Sequence, residues 1–340
     1  MEKLLSIVVP TYNMEKFLDR CLSSLIVKKN LDLLEVLVII DGATDSSSAI
    51  AHHYQENYPL TFKVVDKENG NYGSCINRGL KEATGKYIKI LDADDFFDTE
   101  VLENYMDFLE KQDADMILSD WCLVNSDGIC TYQYHYPFKS SQSYRLKDMS
   151  QSMDLRMHGI TYKTLCVRSI NYHQTEGISY TDSEWCFMPM SAISSIAYFD
   201  KCLYMYLVGR EGQTVDAKIH AKKYWMEVQI LERMLQQYLD NESHWSDETR
   251  QYMLASLIGR VKIVYEKVLV EYHGCYSLEK LKAFDKILVS KVPDSAIDTN
   301  SFVLYGKLPI HYVKVWRKKY NSNPLPLKVL RLYFLLKSKL

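Results

Sequence analysis

No phosphate-cradling glycine loop occurs in the 340 residues. Neither G-x-x-x-x-G-K-[ST] nor G-x-G-x-x-G is present, so a phosphate handled by this chain is not held by a ring of backbone amides. No apolar run reaches 18 residues, and no segment reads as membrane-spanning. The eight cysteines (Cys21, Cys75, Cys122, Cys130, Cys166, Cys186, Cys202, Cys275) are scattered, with no C-x-x-C pair and no zinc spacing. That excludes a zinc module and fits reduced, buried thiols in a cytoplasmic protein. Internal repeats and low-complexity segments are absent. The opening MEKLLSIVVPTYN has a charge and an apolar run but no small-residue cleavage site, so it reads as a first buried strand and not as a leader.

What is present is a sizeable core and an uneven charge. Hydrophobic residues make up 47% of the chain, enough for one large or two modest domains. The formal net charge is −2, yet the stretch from Ser301 to Leu340 holds nine Lys/Arg and no acid, which leaves residues 1–300 at −11. The tail, ending LKVLRLYFLLKSKL, reads either as an amphipathic helix lying on anionic lipid or as a C-terminal helix docked on the body with a solvated basic face. No recognisable nucleic-acid module accompanies the charge, so nucleic acid is not an expected partner. The expected location is the cytoplasm, with peripheral contact at the inner face of the cell membrane through the tail. A homo-oligomer is compatible with the sequence.

Along the first 120 residues, short β-rich runs alternate with helical patterns: LLSIVVP, LEVLVII, TFKVVD, KYIKIL and DMILSD as strands, with helices between them. This alternation predicts an α/β fold with a mostly parallel sheet covered by helices. WCLVNSDGICTYQY predicts a hairpin turning at NSDG. From about His220 onward, apolar residues recur at three- and four-residue intervals and predict a helical region. The expected division is a catalytic domain over residues 1–215 and a helical C-terminal region over 216–340.

In open α/β sheets, ligands bind beyond the carboxyl ends of the strands. Three polar clusters fall at such ends: Pro10, Thr11, Tyr12 and Asn13 after the first strand, Asp41 after the second, and Asp92, Ala93, Asp94 and Asp95 after the fourth. One helix cap needs one carboxylate, and three here are too many. If the segment is extended, Asp92 and Asp94 point the same way and can face one hard cation, Mg²⁺ or Mn²⁺. With no glycine loop, that cation is expected to meet the phosphates of a nucleoside diphosphate and stabilise it as a leaving group, which suits sugar transfer better than hydride transfer or ATP hydrolysis.

SIVVPTYN, VIIDGATDSS, ENGNYGSCINRGLKEATGKYIKILDADDFFD and GISYTDSEWCF, in that order and spacing over roughly residues 3–215, resemble the bacterial family 2 glycosyltransferases. The resemblance implies a glycosyltransferase A-type, Rossmann-like fold and an inverting, metal-dependent transfer of a sugar from a nucleotide-diphosphate sugar to a saccharide or lipid-linked saccharide acceptor. A UDP-sugar is the implied donor and cell-surface polysaccharide synthesis the implied setting. It further implies that Thr11 and Tyr12 line the base pocket, that Asp41 accepts from the uracil imide, that Asp94 ligates the metal directly, and that Asp92 touches the ribose or a metal-bound water. Asn77 and Arg78, in the NRG element, are implied to sit under the nucleotide, Arg78 either beside the acidic cluster or in a structural ion pair. The general base aligns with Asp182 of YTDSEW, with Glu184 as its rival; Trp185 beside them reads as a sugar-stacking or a core residue. Arg210, Gln213 and Thr214 match a segment that closes over the diphosphate. His158 reads either as a contact to acceptor or phosphate or as a satisfied structural histidine. One departure is Ile40, where family members usually carry a first acid before the glycine, and it bears on nucleotide choice.

Two other functions share this architecture. A sugar-phosphate nucleotidyltransferase would carry a glycine-rich arginine signature where VVPTYN stands. A catalytically silent nucleotide-sugar or carbohydrate-binding scaffold would not need the set Asp92, Asp94 and Asp182.

Overall fold

The computed structural model describes residues 2–140, 142–150, 153, 155–209, 223–271, 275–292, 302, 310–318, 320 and 325–337. They fall into two compact units, Met1–Gln213 and Thr214–Leu340.

In the first unit, the Val-, Ile- and Leu-rich runs become strands. β1 (Leu5–Thr11) and β2 (Leu34–Asp41) are buried almost throughout, as strands of a sheet covered on both faces must be. β1 pairs in parallel with β2 and with β4 (Tyr87–Ile90), and β2 pairs in parallel with β3 (Phe62–Lys67). The crossovers carry α1 (Leu18–Ser23), α2 (Ser47–Asn57) and α3 (Asn71–Glu82). Helix α3 can lie close to the sheet because residue 79 is glycine: a Cβ there would stand 2.3 Å from Val8 Cγ1.

Beyond β4 the pairing departs from the mostly parallel expectation. The remaining strands are β5 (Phe96–Phe97), β6 (Met116–Val124), β7 (Cys130–Tyr134), β8 (Ser143–Tyr144), β9 (Ile160–Lys163) and β10 (Ile196–Leu207). The main strand order is β3-β2-β1-β4-β9-β6-β10-β5. β9 lies between β4 and β6 and is antiparallel to both, while β10 runs parallel to β6 and antiparallel to β5. The sheet is therefore mixed. The expected hairpin forms: β7 pairs antiparallel with β6, and Gly128 turns it with φ +78°.

The helix after the acidic turn, α4 (Thr99–Leu109), is capped by Asp98, which accepts from Val101 N–H at 3.0 Å. The three acids upstream are thus not needed as its cap. Helices α5 (Thr164–Ser169) and α6 (Asp182–Phe187) complete the unit.

The second unit is helical, as the periodicity predicts. It contains α7 (Trp225–Asn241), α8 (Asp247–Glu266) running into a π-helical turn (Lys267–Glu271), α9 (Cys275–Lys291), α10 (Tyr312–Arg317) and α11 (Leu325–Lys337). Asp285 is its polar anchor, fully buried yet accepting from Tyr265 Oη at 2.6 Å and paired with Arg317 at 2.6 Å. A buried carboxylate of this kind needs such a partner. Among the described residues, no helix is long and apolar enough to cross a membrane.

Candidate active site

The acidic residues after β4 are not extended. Asp95 N–H donates to the Asp92 carbonyl at 3.0 Å and closes a turn, so the two-residue alternation that would align Asp92 with Asp94 does not operate. Positions three apart are drawn together instead. Possible ligand atoms of Asp92, Asp95 and His158 all lie within 4.8 Å of one another. Asp94 is buried in the same turn, its carbonyl accepting from Arg20 Nη2 at 3.1 Å, and Ala93 is buried beside it.

Tyr204, from β10, holds this turn from below. Its hydroxyl donates to Asp95 Oδ2 at 2.7 Å and accepts from Asp92 N–H at 3.1 Å, while Leu207 N–H donates to Asp95 Oδ1 at 2.8 Å. Asp95 is fully buried, and its proton affinity is pushed well up by burial and by the neighbouring charges of Asp94 and Asp92. A cation in the turn would relieve that repulsion.

His158 approaches from the segment before β9. Its ring packs on Tyr206 (4.4 Å between centroids) and Tyr204 (4.7 Å), and its Nδ1 is buried without a hydrogen-bond partner. Burial, helped by Arg156 and Lys89, pushes its pKa down to about 3, so the imidazole is neutral at neutral pH, the form that can ligate a metal. Lys89, fully buried on β4, fixes this segment by donating to the carbonyls of His158 (2.7 Å) and Ile160 (3.0 Å). Two carboxylates and a neutral imidazole suit Mn²⁺ at least as well as Mg²⁺, which prefers oxygen alone.

Further candidate residues come from α3 and α6. Tyr72 Oη donates to Asp92 Oδ1 at 2.9 Å, and its pKa is raised by burial and then by the charges of Asp92 and Asp182. Asp182 is exposed at the first residue of α6. Glu184 is not exposed: its two oxygens accept from Thr175 N–H at 2.7 Å and Thr175 Oγ1 at 2.6 Å. Trp185 is fully buried, edge-on to Tyr162 and Tyr172, and is a core residue.

At the ends of β1 and β2 the picture is more structural. Asp41 is buried and takes Lys67 Nζ at 2.5 Å, Gly70 N–H at 2.9 Å and Asn71 N–H at 2.9 Å, tying down the loop before α3. Thr11 is buried with its hydroxyl turned back to the Val9 carbonyl, Pro10 is partly buried, and Tyr12 is exposed. Asn77 clamps the 174–176 segment, donating to the Gln174 carbonyl and Glu176 Oε1 and accepting from Gln174 N–H. Arg78 pairs with Glu82 at 2.8 Å on the same helix and not with the acidic turn, which is the structural reading of that residue. Arg210, Gln213 and Thr214 lie outside the described residues. Sequence reasoning did not single out Tyr72, Lys89 or Tyr204; Lys89 and Tyr204 sit inside strand runs and Tyr72 in a polar stretch, and none carries a signal until its neighbours are known.

Residues 6–170 match the family model described as glycosyl transferase family 2. The chain is similar to the uncharacterized glycosyltransferase MG060 of Mycoplasma genitalium, 24% identical over 68% of this chain and 78% of that protein. It is 37% identical to the uncharacterized glycosyltransferase YibD of Escherichia coli over 35% of this chain and only 34% of YibD. In three dimensions it is similar to Staphylococcus aureus TarS 1–349, solved in complex with UDP-GlcNAc, with a TM-score of 0.67 and 19% identity over 86% of this chain and 82% of that one.

Proposed function

We propose that this chain, which belongs to glycosyl transferase family 2 through residues 6–170, transfers a sugar with inversion from a UDP-sugar to a saccharide or lipid-linked saccharide acceptor in cell-surface polysaccharide synthesis. The observation that carries the reading is the gathering of Asp92, Asp95 and His158 in one turn, with Tyr72 donating to Asp92 and Asp182 exposed at the start of α6 as a separate carboxylate. An acid cluster able to hold a divalent cation and a separate carboxylate able to take a proton are the two parts a single displacement needs. TarS, the neighbour in fold, was solved with a UDP-sugar, which supports that donor class.

When bound, Mg²⁺ or Mn²⁺ would neutralise the donor diphosphate and stabilise it as it leaves. Asp92 and Asp95, which the turn brings together, are the residues we assign to holding it, with the neutral imidazole of His158 in reach as a nitrogen donor and Asp94 contributing its charge from the same turn. Tyr72 orients Asp92 through its hydrogen bond. Asp182 takes the proton of the acceptor hydroxyl, and exposure suits it to meet a mobile acceptor. Glu184, engaged by Thr175, shapes the approach to α6. Asp41 is already committed to Lys67 and two backbone amides, so a uracil imide would add to those donors, and Tyr12 is the exposed group left to pack on the base.

The test is a thermal-shift screen of nucleotide sugars with and without Mn²⁺. At least one UDP-sugar is expected to raise the Tm only when metal is present, since a ligand at 100 times its Kd stabilises by about 2.7 kcal/mol. A flat response to every donor, with and without metal, removes the donor site from this chain.

A further inference from the structure

Helix α11 carries two apolar faces, and its own unit covers one. Leu327 and Leu330 are buried, and Arg331 gives its guanidinium to the carbonyl of Leu269. Leu325, Val329, Leu332 and Tyr333, spaced i, i+4, i+7 and i+8, share the opposite side and are 75, 55, 59 and 48% exposed. Single exposed apolar residues need no explanation, but a contiguous stripe along two turns does. Lys328 is exposed on the flank between the two faces.

Charge discriminates among the possible occupants of this stripe. From Ser301 onward there are nine Lys/Arg and no acid. Arg317 is already neutralised by Asp285, whereas Lys314, Lys318 and Lys328 are exposed. A second copy docked through the same stripe would bring two such basic segments together against their mutual repulsion. An anionic lipid surface satisfies both features at once: apolar side chains enter the boundary between headgroups and acyl chains, and amines meet lipid phosphates. We propose that this face of α11 binds an anionic membrane surface, the helix lying in its plane. The inference does not rest on the glycosyl-transfer reading, and its test needs no donor, acceptor or turnover.

The experiment is co-flotation of the full chain with vesicles of phosphatidylcholine mixed with phosphatidylglycerol, against vesicles of phosphatidylcholine alone. The chain is expected to float with the anionic vesicles only and to be released at high salt, where surface charge is screened. The double variant Val329→Glu, Leu332→Glu and, separately, the triple variant Lys314→Glu, Lys318→Glu, Lys328→Glu are each expected to weaken binding by about tenfold or more. The substituted positions are exposed, so both variants should keep the parent Tm, and the salt release of the unsubstituted chain is a measurement that needs no variant. Failure to float, equal binding to neutral vesicles, or binding indifferent to both sets of substitutions overturns the proposal. So does a dimer in sedimentation velocity that the Val329→Glu, Leu332→Glu variant dissolves, which would give the stripe to a second copy.

Discussion

The hydroxyl of Tyr72 donates to Asp92 Oδ1 at 2.9 Å and so ties the helix that follows β3 to the turn that follows β4. That single bond joins two segments which the sequence holds 20 residues apart.

Tyr72→Phe keeps the ring and removes only the hydroxyl. A hydrogen bond to a charged group contributes roughly 1.5–3 kcal/mol, and here part of that is spent on aiming Asp92. The expected outcome is a small drop in Tm and a fall in kcat of about tenfold or more. Steady-state kinetics with Mn²⁺ in excess checks it, and an unchanged kcat would mean that Asp92 is positioned without Tyr72.

Asp182 and Glu184 separate cleanly because one is exposed and the other buried. Asp182→Asn should leave the Tm alone and lower kcat by roughly 10²–10⁴, the range for losing a general base. Glu184→Gln should do the reverse in emphasis: it weakens the acceptor for Thr175 N–H and Oγ1, with a stability loss of about 1–3 kcal/mol and a smaller effect on rate. Melting curves and initial rates on the two variants are the check. A Glu184→Gln enzyme that melts normally and does not turn over would exchange their roles.

How far these residues can be read from the sequence depends on how local their partners are. β1 to β4 each announce themselves as short apolar runs, and the order of those runs is enough to place Thr11, Asp41 and Asp92 along one edge. β9 does not: ITYK is four residues long, and its place between β4 and β6 is fixed by pairing with strands some 45 to 75 residues earlier. His158 arrives beside Asp92 and Asp95 with β9, and in the sequence it is therefore no more than a lone histidine. The acid turn misleads in a different way. Extended backbone would align Asp92 with Asp94, whereas the Asp95 N–H bond to the Asp92 carbonyl curls the chain. Arg78 offers an ion pair in either direction, and the i,i+4 neighbour Glu82 wins it.

The proposed metal site can be tested residue by residue. Asp92→Asn, Asp95→Asn and His158→Ala, the three residues whose ligand atoms converge, are each to be titrated with Mn²⁺ in the presence of UDP, following the Tm. The two Asp variants should lose the metal-dependent shift. His158→Ala should retain a shift with Mg²⁺ and require more Mn²⁺, because only the nitrogen donor is removed. If His158→Ala responds to both metals as the parent does, the imidazole is not a donor and belongs to the aromatic packing around Tyr204 and Tyr206 alone.

Lys89 gives the molecule a pH signature distinct from catalysis. Its ammonium is fully buried and donates to two backbone carbonyls, and burial alone pushes its pKa down from 10.5 to about 7. Below about 7 both folded and unfolded chains carry the proton, and the fold bears the desolvation cost of a buried charge. Between about 7 and 10.5 the unfolded chain binds more protons than the folded one, so this residue's contribution to stability rises with pH. Lys89→Met removes that dependence. Relative to the parent, the variant should therefore be most favoured near pH 6 and lose ground steadily by pH 9, by an amount on the order of 1 kcal/mol or more. The comparison is to be made by urea denaturation at the two pH values with chelator present, so that metal binding does not enter. Parallel stability curves for the two proteins across that interval would mean that Lys89 keeps its proton throughout and that its two carbonyl partners suffice to hold the charge.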